Sequence, residues 1–269
     1  MTKPFLKWAG GKAKLVPFIE ANLPSHKRQR LIEPFCGSGA MSFGIDFDSY
    51  LLADTNADLI NLFATLKHEK QAFIDYAQSF FVDDNNQAAR FYALREQFNQ
   101  SSDIVERSAL FIYLNRHAYN GLCRYNRNGI FNVPFGRYKT VYFPEAEMQN
   151  FIAKSSRIEL LHGDFATTFG KIERQDLVYC DPPYIPLSQT ASFTAYSKDG
   201  FGYHDQARLA QLANQMASNT EGILISNHDT DLTRTLYQGA DIKTIAVQRN
   251  ISSKGNGRTK AKEILAIFK

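Results

Sequence analysis

The chain has 269 residues, 44% hydrophobic and 22% charged, the balance of a soluble globular protein large enough for one α/β domain carrying a sizeable insertion. A formal net charge of +4 is too small to imply a polyanionic partner, and the three widely spaced cysteines, Cys36, Cys123 and Cys180, form neither a metal pair nor a disulfide ladder, which favours a reducing compartment. The opening "MTKPFLKWAGGK" has no apolar core segment, and no run approaches the roughly 18 apolar residues of a membrane span, so neither secretion nor membrane insertion is expected.

In chain order, "WAGGK" (8–12) first invites reading as a phosphate loop. It fails that test, because Leu6 stands where the pattern needs glycine and Ala13 where it needs Ser or Thr. Lys12 is then free to pair a carboxylate, and Trp8 to cover an apolar or cationic ligand face; a core tryptophan beside a solvated lysine is the plainer alternative. "RLIEPF", "CGSG" and "AMSFGID" read as strand, turn and helix. "YLLAD" predicts a second strand and "NADLINLFATLK" the helix after it, the alternation of a parallel sheet. Gly37 and Gly39 permit a tight turn with close backbone approach, and Asp54, at the end of the second strand, suits two ribose hydroxyls; a mere strand–helix turn with a surface acid is the equal alternative for this segment alone. The third glycine of a dinucleotide fingerprint is replaced by Ser42, which points to a cofactor without a pyrophosphate.

The alternation then stops. Residues 69–118 read as helical, with Phe91, Leu94 and Phe98 on one face and Leu110, Phe111 and Leu114 on another. "NRNG" between aromatic flanks predicts a hairpin. Within 107–144 lie Arg107, Arg116, Arg124, Arg127, Arg137 and Lys139, with no acid and with interleaved aromatics. A second acid-free basic stretch spans 242–262, so the two could form one positive surface or simply two solvated faces. After the helical "PEAEMQNFIAKSS" the strands return as "IELLHGD", "DLVYCD", "GILISN", "IKTIAVQ" and "EILAIF", with helices in "HDQARLAQLANQMASN" and "DLTRTLYQG". The expected fold is α/β: a doubly wound sheet formed by residues 1–56 and 145–269, interrupted by a helical and β-hairpin insert over 57–144.

"VYCDPPY" ends one of these strands on an acid, two prolines and an aromatic ring. An aromatic amine such as adenine N6 is a poor nucleophile because its lone pair is delocalised. Two acceptors, one for each N–H, would localise that pair. The Asp181 carboxylate and the Pro182 carbonyl supply them, neither proline brings a competing N–H, and Tyr184 can lie flat on a base. An ordinary strand-ending turn is the competing reading.

Taken together, "FLKWAGGK", "EPFCGSG", "LLADTN", "LNRHAYNGLCRYNRNGIFNVPFGRYK", "VYCDPPY", "FTAYS" and "LISNHD" resemble, along essentially the whole chain and in the same order, the Dam-type DNA adenine methyltransferases, which methylate adenine N6 in GATC. The resemblance implies a Rossmann-like methyltransferase sheet with a DNA-recognition insert, S-adenosylmethionine as donor, S-adenosylhomocysteine as product, and no metal. It implies cofactor contacts at Trp8, Lys12, Phe35, Gly37, Gly39, Asp54, Asp164 and Asp181, and catalytic roles for Asp181, Pro182 and Tyr184. On double-stranded DNA it implies Arg124 on a guanine edge, Leu122 and Pro134 on thymine, and Tyr119 and Asn120 at the gap left by a flipped base. Lys7 and Tyr138 would also face bases, while Arg95, Asn126, Asn132 and Arg137 would meet phosphates. The "SSKGNGRTKAK" stretch (252–262) would support the DNA backbone unless it is only a surface loop. A monomeric, cytoplasmic, nucleoid-associated enzyme is expected. An RNA or protein-glutamine methyltransferase could share the two-acceptor geometry, though a peptide substrate would not need the long insert. A DNA-binding relative without activity would be expected to lose Asp54, Asp181 or Tyr184, and cytosine-N4 enzymes more often carry Ser in place of Asp181.

Overall fold

A computed structural model of the chain describes residues 3–24, 26–185, 200–247 and 261–269. Among them seven strands form one sheet: β1 (Arg30–Glu33), β2 (Ser49–Asp54), β3 (Ile158–His162), β4 (Asp176–Cys180), β5 (Gly222–His228), β6 (Asp241–Val247) and β7 (Ala261–Phe268). Their order is β3-β2-β1-β4-β5-β7-β6. The first five are parallel, and β7 runs antiparallel between β5 and β6. β4 and β5 are buried at every position, as expected for central strands covered on both faces. The chain moves outward from β1 to β3 on one side and from β4 through β5 to the edge strand β6 on the other, with β7 returning between β5 and β6. The β1/β4 junction is therefore the topological switch point, with its ligand crevice beyond the carboxyl ends of those two strands.

Helices α1 (Val16–Ala21), α2 (Ala40–Gly44) and α3 (Ala57–Gln78) follow in the first half, and α3 is capped by the Asn56 side chain. α3 packs on β2 and β3 and also on α5, so one apolar cluster runs from the sheet into the insert, joining Phe5, Phe63 and Phe151 to Phe98, Phe111 and Phe131. The helical reading of 69–118 resolves into three pieces: the end of α3, α4 (Ala88–Gln100) and α5 (Ile104–His117), separated by a short turn over Asp83–Asn85 and by the Asp103 cap. In α4 the buried residues are Phe91, Leu94 and Phe98, as the spacing predicts. α5 is buried on every side from Ser108 to His117, because α3, α4 and the hairpin surround it. The hairpin closes on the isolated antiparallel bridges Tyr125↔Phe131 and Ala118↔Phe135 rather than on extended strands. The second half adds α6 (Glu145–Lys154), α7 (Phe165–Phe169), α8 (Tyr203–Met216) and α9 (Asp231–Leu236). No helix among the described residues is long and apolar enough to cross a membrane. "FTAYS" and most of the basic 252–262 stretch lie outside the described residues.

Candidate active site

Beyond β4 the chain turns into Asp181, Pro182, Pro183 and Tyr184. Lys12 Nζ sits 3.1 Å from Asp181 Oδ1, donates to the Gly10 carbonyl at 2.7 Å, and lies 4.6 Å from the Tyr184 ring centroid. The lysine is buried, so the ion pair is largely shielded from solvent. Asp181 Oδ1 is buried, with the Lys12 ammonium as its ion-pair partner. Burial pushes the Asp181 carboxyl above its usual range, and the Lys12 ammonium pulls it back down. The Tyr184 hydroxyl donates to Glu263 Oε2 at 3.2 Å, and the His228 ring meets the Tyr184 ring edge-on at 4.8 Å.

The turn after β1 is built to come close. Gly37 has φ +46°, and a Cβ there would stand 2.5 Å from Trp8 Nε1. Gly39 has φ +73° and caps α2. Asp54 Oδ2 accepts the Gly37 N–H at 3.0 Å and Oδ1 accepts the Asn56 N–H at 2.9 Å, so the carboxylate holds the glycine turn in place and keeps a second lone pair on each oxygen. Burial raises the Asp54 carboxyl, opposed by those backbone N–H groups. Ser42, in the position of the missing third glycine, donates through both N–H and hydroxyl to Glu33, a buried carboxyl that burial pushes up to about 7.

Trp8, Lys12, Gly37, Gly39, Asp54 and Asp181 thus gather at the switch point. Phe35 and Asp164 mark a neighbouring slot. Phe35 stacks on Phe165 at 5.5 Å and meets the edge of Phe201 at 5.4 Å. Asp164 caps α7 through the Ala166 N–H at 2.8 Å and lies 3.5 Å from Arg208. Glu33, Phe165, Gln206, Asn227 and Glu263 were not singled out in the sequence. Glu33, Asn227 and Glu263 offered only the signal of a polar residue in a mostly apolar strand, and Gln206, on a polar-rich helix, offered none.

The side chains expected on DNA form two groups. Lys7, from the N-terminal segment, adjoins Tyr119, Leu122, Pro134 and Tyr138 of the insert. The Tyr119 N–H donates to the Pro134 carbonyl at 2.8 Å, Lys7 Nζ lies 4.4 Å from the Tyr138 ring, and the Tyr138 hydroxyl donates to Ala118 at 3.3 Å. Burial and the neighbouring Arg116 lower the Lys7 ammonium. Tyr119, Asn120, Pro134 and Arg137 are exposed, and Leu122 is half-buried against the core. Asn120 and Arg137 both adopt left-handed backbone at φ +54°, uncommon for residues with a Cβ. In the second group, Arg124 Nε donates to Asn132 Oδ1 at 2.9 Å, and both side chains reach the surface. Asn126 closes the turn, its Oδ1 accepting the Asn128 and Ile130 N–H groups at 2.9 and 3.0 Å. Arg95 braces the hairpin by donating to the Val133 carbonyl at 3.0 Å.

Residues 8–251 match the family model described as "D12 class N6 adenine-specific DNA methyltransferase". The DNA adenine methylase of Vibrio cholerae serotype O1 is 48% identical over 99% of this chain and 96% of its own, and that of Escherichia coli K12 is 46% identical over 99% and 95%. A precorrin-6y methyltransferase from Geobacter metallireducens is a structural neighbour at 8% identity and a TM-score of 0.41, covering 95% of this chain and 88% of its own. The chain belongs to the D12 class of N6 adenine-specific DNA methyltransferases.

Proposed function

We propose that the chain methylates adenine N6 within GATC of double-stranded DNA, with S-adenosylmethionine as donor, after rotating the target nucleotide out of the duplex. The observation that carries this reading is the Asp181 carboxylate at the end of β4, paired with Lys12 at 3.1 Å and followed by two prolines that bring no N–H, at the switch point. Rotating the nucleotide out costs a few kcal/mol, which contacts from the insert would offset.

The amine of the extruded base brings two N–H groups. Asp181 accepts one and the Pro182 carbonyl the other, and both bonds strengthen as positive charge develops on the nitrogen. The Asp181 charge balances that cation, and the Lys12 ammonium favours the ionised carboxyl against the burial that raises it. Tyr184, aligned by Glu263 and His228, offers a stacking face worth about 1–3 kcal/mol.

The residues of the crevice fit the donor. Asp54 has lone pairs for two hydroxyls, the Gly37–Gly39 turn allows close approach, Phe35 lines an aromatic slot beside Asp164, and Trp8 and Lys12 close the side next to Asp181. When bound, S-adenosylmethionine supplies a methyl group on a sulfonium; this chain's part is to hold both reactants and to accept hydrogen bonds from the amine. On DNA, Arg124 reads a guanine edge, Leu122 and Pro134 meet thymine, and Tyr119 and Asn120 occupy the gap. Lys7 and Tyr138 face bases, while Arg95, Asn126, Asn132 and Arg137 hold phosphates. Methylating a random duplex pool with labelled donor tests the assignment: modified sequences should collapse onto GATC, whereas another motif, or label in single-stranded RNA, would overturn it.

A further inference from the structure

Behind the turn after β4 lies a buried polar chain. Gln206 on α8 and Asn227 on β5 are 1% and 0% exposed, and Tyr237 is 1% exposed. Gln206 Nε2 donates to the Pro183 carbonyl at 2.7 Å. Its Oε1 accepts from Asn227 Nδ2 at 3.1 Å, and the same Nδ2 donates to the Tyr237 hydroxyl at 3.0 Å. Asn227 Oδ1 accepts the N–H groups of Ile185 at 3.1 Å and His228 at 2.9 Å, and His228 Nδ1 stands 2.5 Å from the Ile185 carbonyl.

Elsewhere α8 buries Leu209, Ala210 and Ala213, so an aliphatic residue at 206 would serve packing as well. A buried amide is tolerated only when both its ends are paired. Here one end is spent on the Pro183 carbonyl. No described residue donates to the Pro182 carbonyl. The Pro182–Pro183 and Pro183–Tyr184 peptide planes are related by φ and ψ of Pro183. The ring fixes φ near −65°, so with the second plane held by Gln206 only ψ of Pro183 remains to turn the carbonyl in the first.

We infer that Gln206, itself held by Asn227 and Tyr237, is a positioning residue for methyl transfer: by engaging the Pro183 carbonyl it orients the Pro182 carbonyl and leaves it open to the amine. This rests on the proposed grip of Asp181 and Pro182 on that amine.

The test is Gln206→Glu, measured by single-turnover transfer from labelled S-adenosylmethionine to a GATC duplex at pH 8 and pH 6. The variant keeps the acceptor for Asn227 but, when ionised, has no proton for Pro183; protonated, it regains an O–H donor, and burial raises its pKa towards that range. At pH 8 the transfer rate should fall on the order of 10²-fold with duplex and donor affinity unchanged, and most of the loss should disappear at pH 6 relative to wild type. Transfer at the wild-type rate, or a loss identical at both pH values, would overturn the role. If the variant does not fold by thermal melting, Tyr237→Phe decides: slower transfer with unaltered affinities supports the role, and an unaltered rate overturns it. An inactive Asp181→Ala beside an unimpaired Gln206→Glu refutes the positioning alone, whereas an active Asp181→Ala refutes the grip on which it rests.

Discussion

Lys12 Nζ lies 3.1 Å from Asp181 Oδ1 while also facing the Tyr184 ring at 4.6 Å, so one buried cation touches both the carboxylate and the ring of the turn after β4. Burial raises the Asp181 carboxyl, and this ammonium is the largest opposing influence. Lys12→Met should therefore raise the pKa further. Transfer requires the ionised acceptor, so the acid limb of the pH–rate profile should move to higher pH. A profile that keeps its wild-type acid limb would assign Lys12 to binding instead.

Glu33 carries a pH-dependent stability contribution. Its carboxyl rises from 4.5 to about 7 on folding because it is buried. A raised folded pKa means that stability is complete below the unfolded value and is lost as pH rises through the folded one. Glu33→Gln keeps the acceptor for Ser42, so it should match wild type near pH 4.5 and exceed it at pH 8, by about 3 kcal/mol at most. Denaturant midpoints at the two pH values check this.

Tyr125 ties the hairpin to α3 by donating its hydroxyl to Asp58 Oδ2 at 2.7 Å, the carboxylate that Arg107 also engages through two nitrogens. Tyr125→Phe should lower stability by about 1–2 kcal/mol and weaken duplex binding without altering transfer from a preformed complex. Melting and duplex titration separate the two effects.

Arg124→Ala should relax base preference at one position by about 1–3 kcal/mol. Asn132→Ala should reproduce part of that change, because Asn132 Oδ1 holds the guanidinium. Binding to a panel of single-position GATC variants distinguishes this from uniform weakening, the mark of a phosphate contact.

Much of this architecture is legible in the chain itself, for physical reasons. β1, β2, β4 and β5 are apolar runs that end on or near acids, and the acids Asp54 and Asp181 at their carboxyl ends lead directly to the crevice. The break over 79–87 is hidden because Phe80 and Phe81 continue an apolar pattern while packing as a turn. Glu33, Gln206, Asn227 and Glu263 could not be read in advance. Glu33, Asn227 and Glu263 sit in largely apolar strands and Gln206 is one of several polar residues on α8, so none stands out, and all but one take a partner from a separate element: Gln206 reaches Pro183, 23 residues away, and Glu263 reaches Tyr184, 79 away. Glu33 is the exception, with Ser42 only nine residues on, but nothing in the spacing marks a carboxyl–serine pair. The left-handed backbone of Arg137 at φ +54° likewise could not be read, since arginine carries no preference for it.

The most direct measurement follows extrusion and chemistry with one variant: Asp181→Ala with a duplex carrying 2-aminopurine at the target adenine for the first, and methyl transfer to the matching adenine duplex for the second. The two-acceptor grip predicts that the fluorescence rise on extrusion persists while single-turnover transfer drops by more than about 10³-fold. Transfer within a few-fold of wild type would show that the carboxylate behind β4 is not what makes the amine attack.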